Sequence, residues 1–110
     1  MSTREVLTDG TGRWFDTDKA KSWKEETRWN GNNHISKATG SQWEHETLYR
    51  TADGIYVVHH SSQWQGSTDT IEEVTAEEAA SWLSRNDYLD GDAESAGPEV
   101  ASAYAALELA

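Results

Sequence analysis

Four histidines, His34, His45, His59 and His60, stand in the middle of a 110-residue chain with glutamates close by. Beside them the tripeptide Ser-Gln-Trp occurs twice, as Ser41-Gln42-Trp43 and Ser62-Gln63-Trp64. Imidazole and carboxylate together can ligate zinc or nickel and exchange protons near neutral pH. A glutamine amide, a serine hydroxyl and an indole face suit a sugar, a nucleobase or a peptide. Two chemistries are therefore in view. One is metal or acid–base work by the histidines with Glu44 or Glu46. The other is recognition by an aromatic and polar surface made of Trp29, His34, Gln42, Trp43, His45, His60, Gln63 and Trp64.

Each has a plain structural counterpart. Histidines also hydrogen-bond within sheets, and their spacing here matches no strong metal motif such as His-Glu-x-x-His, so no metal ligand, cofactor or catalytic residue is assigned. A domain this small needs its large apolar side chains as core, and the six tryptophans are the obvious supply. Gln42 and Gln63 are the more telling members. Repeated one hairpin apart, their segments fall at the same end of a sheet and form a rim there. The acidic pairs Glu25-Glu26, Glu72-Glu73 and Glu77-Glu78 carry no site, because neighbours on a strand face opposite ways and Glu77 and Glu78 suit a helix N-terminus. Asp9-Gly10-Thr11-Gly12 lacks the lysine and helix of a phosphate loop, and no serine-triad motif is present.

Bringing His45 to His59 or His60 requires a hairpin. Residues 42–51 alternate Trp43, His45, Thr47 and Tyr49 against Gln42, Glu44, Glu46, Leu48 and Arg50. Asp53-Gly54 supplies the positive φ of a tight turn, and the β-prone run from Ile55 to His60 returns. Pairing centred on that turn sets His45 level with His60 or Ser61, and gives it His59 or His60 as a neighbour on its face. Further strands are expected around Trp14-Phe15, which point to opposite faces, and over 21–29, where Trp23, Glu25, Thr27 and Trp29 alternate with Ser22, Lys24, Glu26 and Arg28. Residues 30–40 read as a polar loop and 70–74 as another short strand. Thr75-Ala76-Glu77-Glu78 fits a capping box ahead of Ala79, Trp82 and Leu83, opening a helix over about 76–86.

The expected fold is α+β: a small antiparallel meander of four to five short strands packed by that one C-terminal helix. Residues 1–89 form a single compact domain in this reading. Residues 90–110, acidic and then alanine-rich, read as a disordered or frayed tail.

Composition narrows the partners. Twenty acidic residues against nine basic ones leave a formal charge of −11, which disfavours phosphate backbones and anionic lipids. Direct nucleic-acid binding is not expected. The acids are scattered along the chain, which fits adaptation to salt better than a nucleic-acid mimic, whose charge would gather on one surface. The absence of cysteine excludes disulfides and thiolate zinc sites and fits a reducing, cytoplasmic setting. The N-terminus lacks the apolar stretch of a secretion signal, and no run approaches the ~20 apolar residues that span a bilayer.

The strings Thr27-Arg28-Trp29-Asn30-Gly31-Asn32-Asn33-His34-Ile35-Ser36, Gly40-Ser41-Gln42-Trp43-Glu44-His45-Glu46-Thr47-Leu48-Tyr49-Arg50-Thr51 and Ser62-Gln63-Trp64-Gln65-Gly66-Ser67 resemble an uncharacterised family of small bacterial proteins. The resemblance spans about residues 27–86 and implies a compact domain. It carries no catalytic or binding residue over to this chain. The functional expectation is a non-enzymatic binding or accessory domain for a partner protein or small ligand. The alternatives are a small metal-dependent or acid–base enzyme using the His/Glu cluster, and an acidic nucleic-acid mimic or inhibitor.

Overall fold

The computed structural model of the chain describes residues 4–29, 31, 34–39, 43–62, 68–86, 88 and 96–109. Among them the elements in chain order are β1 (Arg4–Val6), β2 (Trp14–Asp16), β3 (Lys21–Lys24), β4 (Thr27–Trp29), β5 (His34–Ser36), β6 (Glu44–Arg50), β7 (Tyr56–Ser62), β8 (Thr70–Val74), α1 (Ala76–Arg85) and α2 (Pro98–Ala106). The architecture is α+β, with antiparallel sheets of short strands and two helices.

The spine is a four-stranded sheet in the order β3-β6-β7-β8, every neighbouring pair antiparallel. Its centre is the hairpin expected from Asp53-Gly54. Gly54 takes φ +86, its N–H donates to the Thr51 carbonyl at 2.9 Å, and Thr51 N–H donates to the Ile55 carbonyl at 2.9 Å. The turn fixes the register His45↔Ser61, Glu46↔His60 and Leu48↔Val58. Because side chains alternate with period two, Glu44, Glu46, Leu48 and Arg50 share a face with Tyr56, Val58 and His60, while His45, Thr47 and Tyr49 share the other with Val57, His59 and Ser61.

The first of these faces packs under the helices. Trp23, Leu48 and Tyr56 join Ala79, Ala80, Trp82 and Leu83 of α1 and Val100 of α2 in one buried cluster. Thr75 caps α1, its Oγ1 accepting from Glu78 N–H at 3.1 Å. Asn86 closes the other end of α1 and is fully buried, so its amide must find partners inside the protein. Its Nδ2 donates to the Trp82 carbonyl at 2.7 Å and its Oδ1 accepts from Glu26 N–H at 2.8 Å.

That last bond falls where the single strand expected over 21–29 divides. Glu26 N–H is taken by Asn86, and Lys37 N–H donates to the Glu26 carbonyl at 2.8 Å, so the backbone leaves the main ladder after β3. β4, the end of the expected strand, then pairs with β5 as a separate ribbon, Thr27↔Ser36 to Trp29↔His34, and β5 lies in the stretch expected to be a loop. Two more carbonyls of this region are held from beyond it. Tyr88 Oη donates to Lys24 O at 2.6 Å, and Arg85 Nη1 donates to Ala38 O at 2.7 Å.

The expectation of a single helix and a frayed tail is corrected over residues 96–109. Pro98 starts α2, where a missing N–H costs nothing, and Val100 is buried against the sheet-and-helix cluster. Tyr56 Oη donates to the Ala96 carbonyl, and a Cβ on Gly97, whose φ is +111, would come within 2.7 Å of that Tyr56 oxygen. This helix has little amphipathic pattern to announce it. Tertiary contact holds it, as is usual for short helices in water. Residues 90–95 of the expected tail lie outside the described residues.

The second face of the sheet is covered by a ribbon that the sequence reading missed in part. β1 pairs with β2, Arg4↔Asp16 to Val6↔Trp14. Phe15 turns inward beside Leu7, Val57 and Ile71, with its ring 5.2 Å from that of Tyr49, while Trp14 turns out. Thr8 extends the ribbon onto the β8 edge, its N–H donating to Ile71 O at 2.8 Å. Among the described residues no helix is long and apolar enough to cross a membrane.

Candidate functional site

The histidines separate into three places instead of converging. His45 lies across the hairpin from Ser61, so the histidine sharing its face is His59, and His60 points to the helix side. The carboxylate that His45 meets is neither Glu44 nor Glu46. It is Glu25, freed by the break after β3: its Oε1 bonds His45 Nδ1, and its Oε2 accepts from Ser36 Oγ and, at 3.4 Å, from Glu46 N–H. Strand alternation puts Glu44 and Glu46 on the far face from His45, which is the physical reason for the exchange of partners.

An ionised carboxylate can only accept, so with Glu25 in that form His45 Nδ1 is the donor of the bond. The other ring nitrogen, Nε2, is buried with no hydrogen-bond partner. A hollow of about 360 Å³ lies here, lined in part by Lys24, Thr47, His59 and Ser61. His59 Nε2 is 2.9 Å from Asp69 Oδ2.

On the helix side, Glu46 joins two elements. Its Oε2 lies 3.0 Å from His60 Nδ1, and its Oε1 accepts from Trp82 Nε1 at 3.0 Å, which satisfies the indole N–H that burial of Trp82 would otherwise strand. Glu44 Oε1 is 3.5 Å from His60 Nε2. The hydrogen bond to Glu46 raises the His60 pKa above the ordinary imidazole value, burial works against it, and the charges of Glu46 and Glu44 add to the rise. Among the described residues no group of three or more His, Cys, Asp or Glu is placed to hold a metal ion.

The aromatic candidates divide between core and surface. Trp23 and Trp82 are buried, whereas Trp29 is 61% exposed and Trp43 43% exposed. Trp29 and His34 face each other at the end of the β4–β5 ribbon where residues 30–33 join the two strands, ring centroids 5.1 Å apart and tilted by 58°. Gln42, Gln63 and Trp64 lie outside the described residues.

A further opening was not anticipated from the sequence. A cleft of about 560 Å³ runs between the β1–β2 ribbon and the β6–β7 turn, with Leu7, Phe15 and Val57 as floor and Trp14 and Ile55 among its lining. The signals for it were present: a glycine-punctuated turn before Trp14 and an exposed apolar Ile55 directly after Asp53-Gly54. Glu25 is reached because the strand breaks there: the alternation that would turn Glu25 and Glu26 to opposite faces of one strand ends at Lys24. No family model matches the chain, and no curated protein and no solved structure matches it either.

Proposed function

We propose that the protein is a non-enzymatic binding domain that takes a partner protein or small ligand on the aromatic end of the β4–β5 ribbon, through Trp29 and His34 with Trp43 as a further contact. The observation that carries this reading is the exposure of Trp29, which is 61% open to solvent while Trp23 and Trp82 fill the core. An indole left in water on a short ribbon contributes little to folding, and tryptophan ranks among the strongest anchors of interfaces. The test is a titration followed at the Trp29 indole resonance, with oligosaccharide, nucleoside and peptide panels and with purified candidate partners. Binding should move that signal and be lost in Trp29→Ala with the fold intact. Ligands that bind while leaving Trp29 unmoved would defeat the reading.

Kinship with small bacterial proteins and a cytoplasmic setting belong to the same proposal, as does adaptation of the −11 chain to salt. Salt screens repulsion among like charges, so the unfolding midpoint should rise with KCl, and a midpoint indifferent to KCl would remove that part. A second reading, acid–base chemistry, is favoured by the Glu25–His45 contact, which fixes the imidazole tautomer as in hydrolytic dyads. It stands second because His45 Nε2, the nitrogen such chemistry needs, is closed off from solvent.

A further inference from the structure

The cleft beside β2 carries chemistry used by neither the histidines nor Trp29. Its floor of Leu7, Phe15 and Val57 is buried, and two large apolar side chains in the open, Trp14 at 58% and Ile55 at 37% exposure, border it. Arg4 sits 5.9 Å from the Trp14 ring centroid, which favours one placement of the indole.

Four charged side chains line the cleft, and two of them are already engaged. Arg13 donates to Asp9 and to Glu73, each at 2.9 Å, and Asp16 accepts from Asp18 N–H at 2.9 Å. Among the described residues the Lys19 ammonium and the Asp53 carboxylate have no partner. They stand on separate turns whose backbones are fixed. Lys19 N–H donates to Asp16 O at 3.1 Å on one, and Gly54 N–H donates to Thr51 O at 2.9 Å on the other. An apolar floor thus shares its cleft with one free positive charge and one free negative charge.

We infer that this cleft binds a small apolar zwitterion, its carboxylate at Lys19, its ammonium at Asp53 and its side chain over Leu7, Phe15 and Val57 beside Trp14. A ligand bearing only one charge would satisfy one of the two groups and leave the other facing nothing or facing a like charge. The overall charge of −11 also repels a simple carboxylate at long range, which a net-neutral ligand escapes. Free amino acids with large apolar side chains and short apolar peptides share this chemistry.

The experiment is a heteronuclear NMR titration of the full chain with L-phenylalanine, phenylacetate, phenethylamine and a phenylalanine dipeptide. Phenylalanine should shift the Trp14 indole and the Ile55 amide, and bind about 2- to 5-fold tighter than either singly charged analogue, the margin that exposed ion pairs supply. Lys19→Gln should erase its advantage over phenethylamine, and Asp53→Asn its advantage over phenylacetate. Both substitutions lie on exposed turn positions that support no core contact. Tighter binding of the dipeptide assigns the site to peptides, and tighter binding of phenylalanine assigns it to free amino acids. Equal affinity for phenylalanine and both analogues, or no shift at Trp14 up to the solubility limit of every ligand, overturns the inference. Since Trp29 reports separately, failure here leaves the ribbon proposal standing, and the converse holds.

Discussion

On the helix side of the four-stranded sheet, Leu48, Leu83 and Val100 have no solvent contact and Trp23 keeps about 7%; on the ribbon side Val57 is almost as closed, but Leu7, Phe15 and Ile71 each keep about 7% and Trp14 and Ile55 stand in the open. The sheet is the same; the covers differ. A helix lays a continuous stripe of side chains along the strands, as α1 does here, and α2 adds a second helix beside it. The β1–β2 ribbon offers three residues per strand, with inward positions only at every second one. It closes the centre of its face and leaves the flank as a cleft. One face therefore supplies stability, and the other has room for a ligand.

Cavity substitutions should break this contrast first. Leu83→Ala is expected to lower the unfolding free energy by ~2–5 kcal/mol, and Leu7→Ala by less, because neighbours and water can relax into a cleft but not into a sealed core. Urea denaturation of both variants measures it. Equal losses would mean that the two faces are equally tight.

The link between α1 and the ribbon-forming segment comes next. Asn86→Ala removes both bonds of a buried amide and strands Glu26 N–H, so a loss of ~1–3 kcal/mol is expected. Amide exchange should quicken at Glu26 and Lys37 before it does in β6 and β7. Unchanged exchange at those two residues would show that the break after β3 does not depend on the helix end.

The smallest effect concerns His60, on the helix side but near its rim. Its pKa is raised in the folded state, so the protonated form is the one that folding favours. The stabilisation is complete below the ordinary value of 6.5 and is lost as the pH rises through the raised folded value. The group is partly exposed, which keeps the effect under ~1 kcal/mol. The stability gap between the native chain and His60→Gln should therefore be widest below pH 6.5 and narrow as the pH rises above it. A gap that widens with pH would reverse the sign of the Glu46–His60 coupling.

Where sequence signals were local, they were readable. The Asp53-Gly54 turn and β-branched run mark the β6–β7 hairpin, and Thr75 with Glu78 marks the start of α1. Strand period sets Trp14 and Phe15 on opposite faces, and the fold makes Phe15 the buried one. What could not be read is the set of side chains that meet across large separations. Glu25 reaches His45 twenty positions on, Asn86 reaches Glu26 sixty positions back, and Tyr56 reaches Ala96 forty positions on. None of these pairs leaves a periodic trace.

The histidine constellation shows the division most clearly. Turn chemistry and a two-residue period fix register, and so set His45 and His60 on paired strands near the same level. The composition likewise fixes a formal charge of −11. Assembly of the fold set these imidazoles against different carboxylates on opposite faces, folded the alanine-rich end as a helix and opened a cleft beside Trp14. Those outcomes depend on which distant surfaces bury one another, and burial is a property of the assembled fold rather than of any stretch of chain.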